Sequence, residues 1–96
     1  MSVYIIAQLK FTRREIYDRY QVRFADVFRA FNGRVLVADE RVRVLEGDWP
    51  RDKMVILEFP DEASAIAFQD SPDYAAIAVD RKAGADAVVV LARGLG

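Results

Sequence analysis

A chain of 96 residues that is 53% hydrophobic and 30% charged has the composition of an ordinary folding unit with room for one core, so residues 1–96 are read as a single domain. The formal net charge is -1, and the arginines alternate with acids rather than clustering, which offers no basic field to a polyanion and argues against nucleic acid as a partner. With neither cysteine nor histidine, the chain lacks disulfides, thiolate metal ligands, cysteine nucleophiles and the commonest general base, and no cofactor or metal is expected.

No run approaches the roughly 20 apolar residues that span a bilayer. The stretch from Met1 to Leu9 has neither a basic leader nor a small-residue cleavage pattern. A cytoplasmic location without membrane contact is the expectation.

Taken in chain order, Val3 to Leu9 is a strand-length run with Val3, Ile5, Ala7 and Leu9 on one face and Tyr4, Ile6 and Gln8 on the other. Thr12, followed three residues later by Glu15, predicts a capping box and a helix start. Ile16, Tyr17, Tyr20, Phe24, Val27, Phe28 and Phe31 then form an apolar stripe at helical spacing, opposite a face rich in arginine and aspartate. Asn32-Gly33 is expected to end this helix in the left-handed conformation.

Two short β-prone runs follow, Arg34 to Ala38 and Val42 to Glu46, with Asp39-Glu40-Arg41 as a hairpin turn between them. Gly47 and Pro50 bracket Asp48 and the only tryptophan, Trp49, in a loop, and Lys53 to Phe59 forms the next strand. Asp61 is placed to cap a short helix; Ser71 as N-cap and Pro72 at the first position start another, which Gly84 stops. The inward stripe of that last helix is Tyr74, Ile77, Ala78 and Arg81 or its neighbours. Ala87 to Ala92 shows no alternation, the pattern of a strand covered on both faces.

The order β, α, β, β, α, β, with the second helix broken in two, predicts an α+β fold: a ferredoxin-like antiparallel sheet with its helices on one face. The other face of that sheet is apolar too, which exceeds what a monomer ordinarily leaves exposed. Covering about 600 Å² of it per chain would contribute roughly 15 kcal/mol before the costs of association, enough for a homodimer with two sheets face to face.

Leu45-Glu46-Gly47-Asp48-Trp49, Val55-Ile56-Leu57-Glu58-Phe59-Pro60 and Asp70-Ser71-Pro72-Asp73-Tyr74 together resemble the successive signatures of the family called domain of unknown function 1330. The resemblance extends to Tyr17 and Tyr20 and to Gly33-Arg34, and so covers nearly the whole chain. It implies a dimeric α+β barrel related in fold to cofactor-free monooxygenases and stress-responsive barrel proteins, with no established activity. Where the family often carries a histidine and paired glycines, this chain has Phe31-Asn32-Gly33, so an acid-base role resting on that histidine does not apply. It also departs at Asp39-Glu40, Pro50, Lys53 and Gln69.

Six residues are candidates for a ligand site, each with a bland alternative. Glu46 and Trp49, with Asp48, could cap a barrel mouth, Glu46 acting as a base and Trp49 as a lid; equally, Trp49 could pack over the core edge while the acids hold the loop. Arg34 could pair with Glu46, hold a ligand carboxylate or stay solvated. Tyr17 and Tyr74, with Tyr20, could aim hydroxyls into a pocket between helix and sheet, or be core residues with polar edges. Glu58 stands inside an apolar strand and is either a base of raised pKa or a carboxylate paired with Lys53, Arg34 or a partner-chain arginine. The leading expectation is a homodimer binding a small organic ligand. A cofactor-independent monooxygenase- or isomerase-like enzyme and a purely structural module are the alternatives.

Overall fold

The computed structural model describes all of residues 1–96. Its elements, in order, are β1 (Val3–Phe11), α1 (Arg14–Phe28), β2 (Arg34–Asp39), β3 (Lys53–Phe59), α2 (Glu62–Gln69), α3 (Pro72–Gly84) and β4 (Ala85–Arg93). The strands form one sheet in the order β2-β3-β1-β4, and every neighbouring pair is antiparallel. This is the ferredoxin-like arrangement, in which each helical crossover skips one strand.

Alternation along the strands sorts their side chains between two environments. Val3, Ile5 and Leu9 of β1 and Leu57 and Phe59 of β3 are buried with Tyr17, Phe28, Phe68, Tyr74 and Ile77 from the three helices, so all helices cover the same face. The aromatic rings make much of this core: Phe68 stacks edge-on against Phe28, at a centroid distance of 5.2 Å, and lies 4.5 Å from Tyr74. The intervening residues, Tyr4, Ile6, Met54 and Ile56, turn to the uncovered face, where β4 leaves Val88 and Val90 44% and 50% exposed. No helix is long and apolar enough to cross a membrane.

The later helix starts form as their sequences predict. The Asp61 side chain accepts a hydrogen bond from the Ser64 amide at 2.7 Å, and Ser71 Oγ accepts from the Tyr74 amide at 3.1 Å, with Pro72 in the first turn. The Ser64 amide holds the Asp61 carboxyl below its ordinary range.

The start of α1 differs from expectation. Arg13, not Thr12, is the N-cap residue, and no side chain caps the helix. The amides of Thr12 and Arg13 instead donate to the Gly84 carbonyl at 2.9 and 3.0 Å, so the chain is tied to the end of α3. A tertiary hydrogen bond has replaced the local box. It requires glycine at position 84, because a Cβ there would lie 2.4 Å from the Tyr17 backbone nitrogen.

Two further expectations are corrected. α1 ends at Phe28 in a tight turn, with the Phe31 amide donating to the Phe28 carbonyl at 3.0 Å, and Gly33 has no positive φ. Glycine is needed there for space, since a Cβ would come within 2.5 Å of the Phe28 ring and 2.8 Å of the Phe59 ring. The predicted strand from Val42 to Glu46 is irregular chain within the loop 40–52, with Val44 and Leu45 exposed. The outer edge of β2 is free, yet this segment does not pair with it, so its β propensity alone does not make a strand. The loop is pinned at its end, where the Asp52 amide donates to the Leu9 carbonyl at 2.7 Å and Asp52 Oδ2 accepts from the Phe11 amide at 2.8 Å. Gly47, with φ 81°, is its one left-handed residue.

Candidate functional site

The helices do not all sit equally close to the sheet. α2 lies on β1 and β3 and α3 lies over β4, whereas α1 packs chiefly against α3. Its inward residues Tyr17, Tyr20 and Phe24 are bulky, and the space beneath them is a cavity of about 240 Å³ between α1, α3 and the helix-facing side of the sheet. Thirteen of its seventeen lining residues are hydrophobic, which makes it an apolar chamber with a few polar groups. At about 30 Å³ per water it holds the volume of roughly eight waters, the size of a compact organic molecule.

Alternation on β3 places Lys53 in the same inward row as Val55, Leu57 and Phe59, and only 4% of it is exposed. Its ammonium donates to Gln21 Oε1 at 3.1 Å, stands 3.7 Å from Glu40 Oε2 and lies 5.0 Å from the centre of the Tyr17 ring. Burial lowers the Lys53 pKa below the usual 10.5, against the opposing attraction of Glu40. Glu40 is itself clamped by Arg14, which donates to its two oxygens at 2.7 and 3.1 Å.

Three tyrosines line the same chamber. The Tyr20 and Tyr74 hydroxyls share a hydrogen bond of 3.0 Å. Burial, together with the neighbouring Tyr74 hydroxyl, raises the Tyr20 pKa, and burial near Glu40 pushes that of Tyr17 up to about 12. At neutral pH these phenols are hydrogen-bond donors. Arg81 completes the polar set: it follows Tyr74, Ile77 and Ala78 on the inward stripe of α3, is 7% exposed, and its Nε is buried with no hydrogen-bond partner.

Of the six predicted site residues, the structure brings Tyr17 and Tyr74 together on this chamber and places the other four outside its lining. Arg34 and Glu58 occupy opposite positions on β2 and β3, where Arg34 Nε donates to Glu58 Oε1 at 3.0 Å on the uncovered face. The Arg34 guanidinium holds the Glu58 carboxyl below the usual range, the reverse of a raised-pKa base. Glu46 is exposed in the loop 40–52. Trp49 lies beside a separate surface depression of about 360 Å³, with Phe11, Arg14, Arg41, Arg51 and Asp52. It does not cover the chamber.

Lys53 and Arg81 are the two charged lining residues that the sequence does not single out as site candidates. A signal existed for each in the pattern: Lys53 holds an odd-numbered place in an inward row, and Arg81 stands seven residues after Tyr74, two turns along the same face. A cation on an apolar stripe marks either a frayed end or a buried charge, and tertiary packing decides which.

Residues 2–95 match the family described as Domain of unknown function (DUF1330). The chain belongs to that family. Among solved structures it is similar to a protein of unknown function from Rhodopseudomonas palustris, with 18% identity over 99% of this chain and 83% of that one and a TM-score of 0.81. SnoaB, a cofactor-independent oxygenase from Streptomyces nogalater, superposes with a TM-score of 0.72 at 14% identity, covering 99% of this chain and 94% of SnoaB. A dimeric ferredoxin-like protein of unknown function from Thermobifida fusca gives 0.69 at 19% identity, over 98% and 92% of the two chains. No curated protein matches the sequence. Identities this low carry the fold shared by DUF1330 and these neighbours, not an activity.

Proposed function

We propose that this DUF1330 protein is a cytoplasmic homodimer, sheet against sheet, and that each protomer binds a small organic ligand in the chamber beneath α1. The observation that carries the ligand is the chamber itself: about 240 Å³ of largely apolar space with three phenols and two buried cationic side chains at its walls. Interiors ordinarily close around their side chains, and a chamber of this size with polar groups aimed into it has the form of a binding site. A purely structural module would have no use for it.

Support for the dimer is the row of Tyr4, Ile6, Met54 and Ile56 with Val88 and Val90 on the uncovered face, and the description of neighbours of the same fold as dimeric. Sedimentation equilibrium tests it: a species of twice 10.9 kDa is expected at micromolar concentration, and a monomer alone would overturn the assembly. Nuclear magnetic resonance tests the chamber, with small apolar molecules expected to shift the signals of Tyr17, Tyr20 and Phe24 ahead of those of Trp49. Fractionation of the native host checks the location.

A second reading, a cofactor-independent oxygenase or isomerase, draws support from the fold shared with SnoaB. In this chain Glu46 and Glu58 lie away from the chamber, so the titratable lining group available for proton exchange with a bound ligand is Lys53, whose pKa burial lowers. Turnover of a candidate substrate that survives Lys53→Met would exclude that role.

A further inference from the structure

We propose that the ligand of the chamber is a compact organic anion: an apolar aromatic or branched aliphatic body carrying one carboxylate or comparable acidic group, held by the Nε face of Arg81. The inference deepens the binding function proposed above and rests on it. Its starting point is an imbalance. Arg81 is 93% buried by its 7% exposure, yet its Nε meets no acceptor and no carboxylate forms an ion pair with it.

Lys53, the other buried cation on the chamber, is provided for within the chain: Gln21 accepts its hydrogen bond and Glu40 stands across from it, steadied in turn by Arg14. The two cations therefore differ in what they lack. Burying a donor without an acceptor costs free energy, and because the charge of a guanidinium is permanent, the unpartnered Nε is best answered by an anionic acceptor that arrives from outside. The planar fork of arginine also matches a carboxylate better than a point charge would.

The walls narrow the class further. Ile5, Leu9, Phe24, Leu57 and Phe68 give a small inorganic anion no replacement for its hydration shell, and they match instead a hydrocarbon body. The volume of about 240 Å³ admits a body of one ring or one branched chain. Tyr20 and Tyr74 already spend one hydroxyl proton on each other, which leaves the second free to donate to the ligand beside Arg81.

The test uses two matched pairs of probes that differ only in charge, phenylacetate with phenylacetamide and 4-methylpentanoate with 4-methylpentanamide, titrated into the full chain by isothermal calorimetry and followed by resonance shifts of the lining residues. One acid of a pair is expected to bind at least about tenfold tighter than its amide, as charge-assisted hydrogen bonding implies. Arg81→Gln is expected to remove that preference while amide binding persists, and Arg81→Lys to restore part of it. If Arg81→Gln fails to fold, by circular dichroism, Arg81→Lys still reads the geometry, through a reduced acid preference. Amides binding as tightly as acids would overturn the anion inference and leave the chamber as a site. If neither acids nor amides shift the lining residues, the binding function falls and takes the inference with it. Inorganic phosphate competing as well as the organic acids would overturn the role given to the apolar walls.

Discussion

The two faces of the sheet are built from the same strands and do opposite things with charge. On β3, Lys53, Val55, Leu57 and Phe59 face the helices, while Met54, Ile56 and Glu58 face away. The inward cation is 96% buried by its 4% exposure and perturbed by that burial; the outward carboxylate is bonded to Arg34, whose side chain is 73% exposed, and serves as a surface ion pair. A charge's meaning is set by its parity along the strand more than by its residue type. The inward face borders a largely apolar chamber, and the outward face leaves Val88 and Val90 exposed.

That contrast can be broken most severely at Phe59, which is fully buried beneath α2 and beside Phe28 and Phe68. Phe59→Ala is expected to destabilise the fold by about 3–5 kcal/mol in urea unfolding. Ile56→Ala, on the outward face, should cost clearly less when measured in the monomer. Equal losses would mean that the two faces are equally packed within one chain.

The outward face is tested by Val90→Lys. Each two-fold interface would then bury two unpaired ammonium groups, weakening association by about 2 kcal/mol or more, with the dimer dissociating in sedimentation while circular dichroism stays native. Unchanged association would place the interface elsewhere.

Lys53→Met sharpens the inward face. Because the folded pKa of Lys53 lies below its unfolded 10.5, the unfolded chain holds the extra proton between those two values, and stability rises with pH across that window. The methionine variant should lose that rise. Tyr17 works in the opposite sense: its folded pKa near 12 exceeds the ordinary 10.0, so stability falls as pH passes above 10. Unfolding midpoints of both proteins from pH 7 to 11 would display the two signs separately, and parallel profiles would show that Lys53 titrates as a solvated amine.

The smallest effect is expected at Arg34→Gln. The Arg34 side of the ion pair with Glu58 is largely exposed, so the unfolding midpoint of the monomer should move little. A marked loss in the dimer alone would show that the partner chain covers the pair.

Much of this architecture was legible in the residues before any contact was known. Alternation named the two faces of β1 and β3, the Tyr17-Tyr20-Phe24 stripe named the inward side of α1, and Asp61 and Ser71-Pro72 marked two helix starts, because each signal is a local relation between neighbours along the chain. Where the reading failed, a distant group had intervened. The Gly84 carbonyl captured the amides that a Thr12 box would have served, the rings of Phe28 and Phe59 gave Gly33 a reason unrelated to its φ, and the loop holding Val42 to Glu46 is tied through Asp52 to Leu9 and Phe11 of β1 rather than to the free edge of β2.

The candidate site divides along the same line. The sequence by itself determined that Tyr17, Tyr20 and Tyr74 fall on the apolar stripes of their helices and that Val55, Leu57 and Phe59 share one face of β3, since periodicity alone assigns a residue to a face. Only the tertiary structure decided that α1 stands off the sheet to leave a chamber, that Trp49 lies outside it, that Glu40 answers Lys53, and that nothing in the chain accepts from Arg81 Nε. Periodicity fixes direction. The distance between layers and the partner of a buried charge depend on residues far apart in sequence, and those meet only in the folded chain.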